Sequence, residues 1–347
     1  MKAVILAAGH GTRMRPYTFS KPKHLLPVAN KPVMQYLIEA LKAIDVRDIQ
    51  IIVGHLQEAI REYFEDGSKF GVRISYIEQK EKLGLAHAVG HSKQFIGNSP
   101  FIVILGDVLF TSGLADLLEK HKKSGAEASI VLTKVDNPTA FGVVEMKGEQ
   151  IVRLVEKPKV PPSDLAIAGI YFFSSPRIFG IIDSLKPSAR GEYEITDAIQ
   201  GLINAKHAVN GLVLDKWWKD TGKPQDLLET NKSVLDDMFN GQANKVIVGK
   251  NCRISETTNI EGPAMIGDGC EIIDSKIRPY TCIQKNNKVT SSVIENSILM
   301  EDSTVKNMSL QDSVIGSGCL IRSEKKESKK HTFYIGDKSQ VDIIGED

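Results

Sequence analysis

The sequence lacks the long apolar runs that mark membrane proteins. No uninterrupted stretch approaches the roughly twenty apolar residues of a membrane-spanning helix. The apolar run after Lys2 is shorter than the roughly seven residues of a signal-peptide core, and polar residues follow it at once. With 347 residues and 41% hydrophobic content, the chain can still bury a large core. We therefore expect a cytoplasmic protein of two domains with no membrane contact.

An excess of one charge is also missing. Lysine and arginine number 44 against 43 aspartates and glutamates, which gives a net charge of +1. A nucleic-acid partner would need a local basic patch that this balance does not announce. The weak candidate SEKKESKK at residues 323–330 is typical of a solvated loop, so we expect no nucleic-acid partner.

Cysteine is absent until the last hundred residues. The cysteines there are Cys252, Cys270, Cys282 and Cys319. None forms the CxxC pair expected of a zinc site. Cys252, Cys270 and Cys319 each stand four positions after an aliphatic residue, in VGKNC, IGDGC and IGSGC. We expect these to be small core or corner residues, whereas Cys282 falls outside the pattern.

From about residue 246 an aliphatic residue recurs at every sixth position. The series is Val248, Ile254, Ile260, Ile266 and Ile272, then Ile277, Ile283 and Val289, then Val293, Leu299 and Val305, and last Ile315 and Ile321. Hexapeptide repetition is typical of a parallel β-helix, in which each short face contributes one inward side chain. The repeat therefore predicts a C-terminal left-handed parallel β-helix over residues 241–347.

Residues 1–240 have a different pattern, in which strand-like and helix-like runs alternate. Residues 2–7, 48–54, 72–79 and 101–107 predict strands, and residues 32–44 predict a helix. Such alternation indicates an α/β domain with a Rossmann-like, mainly parallel sheet. Ligands bind at the carboxyl ends of the strands in sheets of this kind.

The loop GHGTRMRPYTFSKPK follows the first predicted strand. It lacks the GK[ST] of a Walker A loop and the third glycine of the dinucleotide fingerprint, so a simple turn with positive φ at Gly9 and Gly11 is an alternative. Its cations are Arg13, Arg15, Lys21 and Lys23. Because backbone N–H groups and such cations both bind phosphate oxygens, the loop predicts a nucleoside triphosphate site.

Residues 2–36 resemble the start of the sugar-1-phosphate nucleotidylyltransferases, and most of all the long-form glucose-1-phosphate thymidylyltransferases. Further similar segments are EQKEKLGLAHAV (78–89), ILGDVLF (104–110), PTAFGVVE (138–145), LVEKPKVPPSDLAIAGIYFF (154–173), RGEYEITDAIQ (190–200), WWKDTGKPQDLLE (217–229) and YIGDKSQV (334–341). The resemblance implies Mg²⁺-dependent transfer of a nucleotidyl group from dTTP to glucose 1-phosphate, with release of pyrophosphate.

The resemblance also implies roles for individual residues. The nucleotide-binding set would be Leu6, Ala8, Gly9, Gly11, Thr12, Arg13, Lys23, Gln79, Gly84 and Asp107. Within it, Gln79 and Gly84 would read the base, Arg13 would hold the departing pyrophosphate and Lys23 would contact phosphates near the reacting centre. The catalytic residues would be Arg13, Lys23 and Asp107. The sugar-phosphate set would be Gly142, Glu156, Lys157 and Arg190, and the magnesium ligands would be Asp107 and Asp220.

Each role has a plainer alternative. Arg13 and Lys23 could be surface cations, and Asp107 could start a turn. Asp220 could cap a helix that begins near Lys223. Glu156 and Lys157 could be a polar strand end. Acidic residues at 192, 194 and 197 are expected to belong to a helix start.

Other functions remain open at this level. The enzyme could use UTP or another sugar phosphate, because one methyl group separates thymine from uracil. The β-helix could carry an acyltransferase, although the only histidine available there as a base is His331 in the tail. A catalytically silent regulatory or scaffold subunit is a third possibility. We also expect a homo-oligomer, because a flat-sided β-helix can bury an interface.

Overall fold

The structure, a computed structural model, describes residues 1–110, 113–215 and 217–344. The chain divides into two compact units. The first unit comprises Met1–His10 and Met34–Asp220, and the second comprises Gly11–Val33 and Thr221–Asp347. The basic loop after the first strand therefore belongs to the same unit as the C-terminal repeats. The domain boundary predicted after residue 240 stays a prediction.

Short strands and helices alternate through the first 240 residues, as the hydrophobic pattern predicts. The strands are β1 (Lys2–Ala7), β2 (Pro27–Val28), β3 (Lys31–Pro32), β4 (Asp48–Val53), β5 (Arg73–Glu78), β6 (Phe101–Leu105), β7 (Val108–Phe110), β8 (Ala128–Lys134), β9 (Gly142–Lys147), β10 (Gln150–Glu156), β11 (Leu165–Phe173), β12 (Val209–Val213) and β13 (Trp218–Asp220). The helices are α1 (Val33–Ala43), α2 (Gln57–Phe64), α3 (Leu85–Gly90), α4 (Lys93–Ile96), α5 (Leu114–Ser124), α6 (Arg177–Ile182), α7 (Ile195–Asn204) and α8 (Pro224–Met238). Among the described residues, no helix is long and apolar enough to cross a membrane.

The core of the first unit is a mixed sheet in the order β5-β4-β1-β6-β11-β8-β12-β10-β9. Strands β5, β4, β1 and β6 are parallel, as predicted. Strand β11 then enters antiparallel to both β6 and β8. Residues 3–5 of β1 are completely buried, because this strand lies inside the sheet with both faces covered. A continuous aliphatic run therefore replaces the alternation of a half-exposed strand.

The second unit contains short parallel strands stacked in coils. They are β14 (Val246–Val248), β15 (Arg253–Ile254), β16 (Asn259–Ile260), β17 (Ala264–Ile266), β18 (Glu271–Ile273), β19 (Lys276–Ile277), β20 (Thr281–Ile283), β21 (Lys288–Thr290), β22 (Val293–Glu295), β23 (Ile298–Leu299), β24 (Thr304–Lys306), β25 (Ser309–Gln311), β26 (Val314–Ile315), β27 (Leu320–Ser323), β28 (Tyr334–Ile335) and β29 (Gln340–Ile343). Their parallel sheets run β14-β17-β20-β23-β26-β28, β15-β18-β21-β24-β27-β29 and β16-β19-β22-β25. This arrangement is consistent with the predicted left-handed β-helix.

The hexapeptide count identifies most of the inward side chains correctly. Ile266, Ile272 and Ile277 lie in the core of the β-helix, as predicted. The prediction of Val293 is wrong, because Ile294 is the completely buried core residue of β22 and pairs in register with Ile277. A slip of one residue between coils moves the neighbouring side chain to the inside.

The corners of the β-helix use small polar side chains and cysteines. Ser275 accepts a hydrogen bond from the Ser292 backbone N–H at 3.1 Å, and the hydroxyl of Ser292 accepts one from the next coil at 3.0 Å. Cys270 and Cys319 belong to the buried core and Cys252 packs against it, which confirms the small-residue interpretation. Each thiol also donates to a carbonyl of the following coil, at 3.0–3.2 Å.

Candidate functional site

The carboxyl ends of the parallel strands bring several predicted nucleotide residues to one edge of the sheet. Leu6 lies in β1, and Ala8 and Gly9 follow that strand. Gln79 directly follows β5, and Asp107 follows β6 after one glycine. Because β4 and β1 lie between β5 and β6, Gln79 and Asp107 are separated by three strand spacings, about 14 Å at 4.8 Å each.

The predicted metal ligands meet through a small antiparallel pair. Strand β13 pairs with β7 so that Asp220 stands opposite Val108, the residue after Asp107. Asp107 is 8% exposed and Asp220 is half-buried. Asp220 is a strand residue, and the N-terminus of α8 is capped instead by Asp226, which accepts from the Lys223 N–H at 2.7 Å.

This pair of carboxylates fits Mg²⁺ by its chemistry. The ion prefers hard oxygen ligands and commonly takes only one or two from protein carboxylates, with phosphate and water completing its shell. Across residues 1–110, 113–215 and 217–344, no group of three or more His, Cys, Asp or Glu side chains could hold a metal by itself. A site completed by substrate phosphates is therefore the arrangement that these residues allow.

The amide of Gln79 is held by its own neighbourhood. Its side chain is 6% exposed, and Nε2 donates to the Gly84 carbonyl oxygen at 3.1 Å. The same Nε2 lies 3.0 Å from Nδ1 of His87. With both amide hydrogens directed at protein acceptors, Oε1 is the Gln79 atom left to accept a hydrogen bond from a ligand.

The backbone of Tyr193 approaches so closely that position 84 must be glycine. The φ of Gly84 is +102°, and a Cβ at this position would lie 2.6 Å from the carbonyl oxygen of Tyr193. The backbone of Tyr193 brackets this turn, because its N–H donates to Leu83 at 2.7 Å and its carbonyl accepts from Ala86 at 3.0 Å. The predicted base-reading segment is therefore fixed to residues 192–193, which adjoin the predicted sugar-phosphate segment.

Glu156 and Gly142 face each other at the open end of the β9–β10 hairpin, opposite its turn. They are paired in register, with Gly142 first in β9 and Glu156 last in β10. A Cβ on Gly142 would lie only 3.0 Å from Glu156 Oε2. The Nζ atom of Lys157 lies 3.7 Å from Glu156 Oε1. Burial raises the pKa of Glu156, although Lys157 and Arg190 favour its charged form.

Arg190 joins this group through its carboxylate neighbours. Its guanidinium lies 3.1 Å from Glu194, 3.4 Å from Glu156 and 3.5 Å from Glu192. Glu194 is the residue before α7 but makes no side-chain cap, whereas Asp197 lies in the first turn, as expected. The structure thus brings together all four predicted sugar-phosphate residues and shows that Glu192 and Glu194 orient Arg190.

The remaining predicted residues lie in the second unit. Gly11 has a φ of +63°, and a Cβ there would lie 3.3 Å from Cβ of Lys23. Thr12 and Arg13 occupy an exposed helical turn that follows Gly11. Arg15 instead lies over the ring of Phe19 at 4.8 Å, and Lys21 donates to the hydroxyl of Ser317 at 3.1 Å. Arg15 and Lys21 therefore each contact another residue of the second unit.

Sequence reasoning missed several residues of the site. His87 and Tyr193 contact predicted site residues, yet each lies in a helix or turn whose pattern signals nothing unusual. Glu194 was expected only at a helix start, and its contact with Arg190 was not foreseen. Trp218 was also missed, and its Nε1 donates to the Ala168 carbonyl at 2.8 Å, which ties β13 to β11. The polar atom of a partly buried tryptophan was the available signal, because it usually needs a partner.

Comparison with known proteins agrees with the motifs. The profile of the nucleotidyl transferase family matches residues 2–237. Glucose-1-phosphate thymidylyltransferase of Streptomyces antibioticus is 40% identical over 356 residues, which cover 99% of this chain and 99% of that protein.

Solved structures give the same result. The crystal structure of a Bacillus anthracis protein in complex with sucrose has a TM-score of 0.63 and 35% identity, and the match covers 71% of this chain and 97% of that chain. The crystal structure of UDP-glucose pyrophosphorylase complexed with UDP-glucose has a TM-score of 0.60 and 28% identity, and the match covers 67% of this chain and 97% of that chain. The resemblance stated from the motifs is confirmed, and the chain belongs to the nucleotidyl transferase family.

Proposed function

We propose that this chain transfers the thymidylyl group of dTTP to glucose 1-phosphate, giving dTDP-glucose and pyrophosphate. The observation that carries the proposal is the 40% identity to a glucose-1-phosphate thymidylyltransferase over 99% of both chains. The clustering of Gly142, Glu156, Lys157 and Arg190 supports a binding site for a sugar phosphate in the first unit.

The reaction is a displacement at the α-phosphorus. A phosphate oxygen of the sugar 1-phosphate forms a bond to this phosphorus while the bond to the bridging oxygen of the β-phosphate breaks. Pyrophosphate leaves with that electron pair, so no proton transfer is required. Catalysis then depends on alignment of the two substrates and on neutralisation of phosphate charge.

The side chains divide this work. Arg13 and Lys23 neutralise the triphosphate, and the fork of the arginine suits the departing pyrophosphate. Lys157 and Arg190 bind the phosphate of the sugar, while the carboxylate of Glu156 accepts hydrogen bonds from sugar hydroxyls. Asp107 and Asp220 would hold one Mg²⁺, which when bound supplies a Lewis acid that neutralises phosphate oxygens.

Base recognition follows from the hydrogen bonds of Gln79. Its amide hydrogens are directed at Gly84 and His87, which leaves Oε1 as an acceptor. The ring nitrogen N3 of thymine and uracil carries a hydrogen that Oε1 can accept, whereas N3 of cytosine carries none. The arrangement therefore favours dTTP and UTP over CTP.

One assay tests the proposal. Pyrophosphate release is measured with dTTP, UTP, CTP and ATP, each combined with glucose, galactose and N-acetylglucosamine 1-phosphates, and the product is identified by mass. We expect the highest kcat/KM for dTTP with glucose 1-phosphate. The absence of pyrophosphate release with every pair would contradict the enzyme proposal and favour a silent scaffold subunit.

A second candidate is the same reaction with UTP. It is favoured by the 28% identity to UDP-glucose pyrophosphorylase over 67% of this chain. A higher kcat/KM with UTP in the same panel would establish it. The acyltransferase alternative stays open to a test of acetyl-CoA consumption, and oligomer formation stays a prediction that the mass from light scattering tests.

A further inference from the structure

One sheet of the β-helix differs from the next in what it presents to the outside. In the sheet that runs from β14 to β28, the outward side chains Cys282, Ile298 and Val314 are apolar and at most 1% exposed. In the sheet from β15 to β29, Lys288 and Arg322 point outward and are exposed. The first of these surfaces, here called the apolar face, therefore has the composition of a surface that is covered.

The basic loop and α8 cover part of the apolar face within the second unit. Asn30 donates from Nδ2 to the Ile283 carbonyl at 2.9 Å. Asn231 of α8, completely buried, accepts from the Ala29 N–H at 2.9 Å and donates to the Tyr280 carbonyl at 3.0 Å. The loop, the helix and the β-helix thus share a continuous hydrogen-bonded contact around Cys282.

Residues 17–21, which lie between Arg13 and Lys23 in the sequence, make a second contact with the β-helix. The hydroxyl of Tyr17 is buried and donates to the Val314 carbonyl at 2.8 Å, and burial raises the pKa of Tyr17, which keeps this hydroxyl a donor. Lys21 donates to Ser317 at 3.1 Å, and Ser20 donates to Asp337 at 2.8 Å. The last coils therefore hold residues 17–21, midway between Arg13 and Lys23.

We propose that the β-helix is the rigid support which fixes Arg13 and Lys23 for the triphosphate, and that Tyr17 is the positioning residue that links the loop to it. The inference rests on the proposed function. The loop has only short helical turns of its own at 12–14, 17–19 and 23–25. An external support removes the entropy that such a segment would lose on binding, and a misplacement of about 1 Å can cost a factor of 10².

The test is Tyr17→Phe, which removes the hydroxyl and keeps the ring. We expect KM for the nucleoside triphosphate to rise about tenfold, as for a shift of about half an ångström, while KM for the sugar phosphate stays unchanged. Tyr280→Phe is the matched control, because it removes a hydroxyl of the same unit that donates to Asp236 at 3.1 Å rather than to residues 17–21. It should leave both KM values unchanged.

Two further measurements keep the outcome decisive. Ser20→Ala removes an exposed contact to Asp337, so we expect it to fold as the wild type does and to raise KM for the triphosphate about threefold on the same argument. Calorimetric binding of dTTP to each variant reports the loop without turnover. Unchanged affinity in both Tyr17→Phe and Ser20→Ala, or an equal loss in Tyr280→Phe, would overturn the inference. Wild-type protein that binds dTTP but releases no pyrophosphate would contradict only the proposed function.

Discussion

Replacing Gly142 by alanine should raise KM for glucose 1-phosphate about tenfold and leave KM for dTTP unchanged. The added Cβ would lie 2.9 Å from Cγ2 of Thr196 and 3.0 Å from Glu156 Oε2 and Ile167 Cδ1. Atoms in ordinary contact stand about 3.5 Å apart, so the Glu156 carboxylate must withdraw by roughly half an ångström. Since a displacement of about 1 Å can cost 10²-fold, half of that corresponds to about tenfold, or about 1.4 kcal/mol.

Steady-state kinetics with one substrate varied at a time separate this effect from a loss of stability. An unfolded fraction lowers the apparent kcat but leaves KM unchanged, because only folded protein binds substrate. Gly180→Ala in α6 is the matched control, since no atom lies within 4 Å of its added Cβ. Alanine in a helix interior stabilises by up to about 1 kcal/mol, so this variant should keep both KM values. A Gly142→Ala enzyme with wild-type KM for glucose 1-phosphate would refute the assignment of Glu156 to the sugar.

Further predictions concern the metal, the base and the buried thiol. Asp107→Asn and Asp220→Asn should each lower kcat/KM by about 10²-fold or more with little change in melting temperature. Asp215→Asn changes an exposed aspartate and is the control that should stay active. Chelation should abolish wild-type activity, and added Mg²⁺ should restore it. His87→Ala frees a hydrogen of Gln79 Nε2, so we expect discrimination against CTP to shrink about fivefold in kcat/KM, and an unchanged dTTP-to-CTP ratio would count against the role of His87. Burial raises the pKa of the Cys282 thiol to about 12. The protonated thiol therefore contributes stability that is fully present below the unfolded pKa of about 9 and is lost as pH rises from there through the folded pKa. Mass spectrometry after alkylation at pH 8 should therefore find Cys252 modified before Cys282, and the reverse order would contradict the buried position of Cys282.

The four strands that the sequence predicted in the first unit match the structure closely. Residues 2–7 form β1 as predicted, and the predicted strands at 48–54 and 101–107 begin where β4 and β6 begin. Aliphatic runs between polar residues report burial directly, because hydrophobic burial is the largest favourable contribution to folding. The motif residues after these strands could also be placed at one edge, since parallel strands end on the same side.

Periodicity predicts which side is buried but not what buries it. Cys282 had no interpretation from its spacing, because its cover comes from Ala29, Asn30 and Asn231, which are distant in the sequence. For the same reason Ile294 rather than Val293 enters the core, since the shift depends on how neighbouring coils pair. The antiparallel entry of β11 between β6 and β8 is likewise decided by tertiary pairing.

The sequence by itself determined the residue types of the candidate site residues: a basic loop with Arg13 and Lys23, acidic strand ends at Asp107 and Asp220, and the pair Glu156 and Lys157. Only the tertiary structure decided their partners. It brings Arg190 to Glu156 and Tyr17 to Val314, sets Asp220 opposite Val108, and assigns the basic loop to the unit of the β-helix. The physical reason is that the hydrogen bonds and charge pairs that orient a side chain join residues far apart in the chain, so no local pattern encodes them.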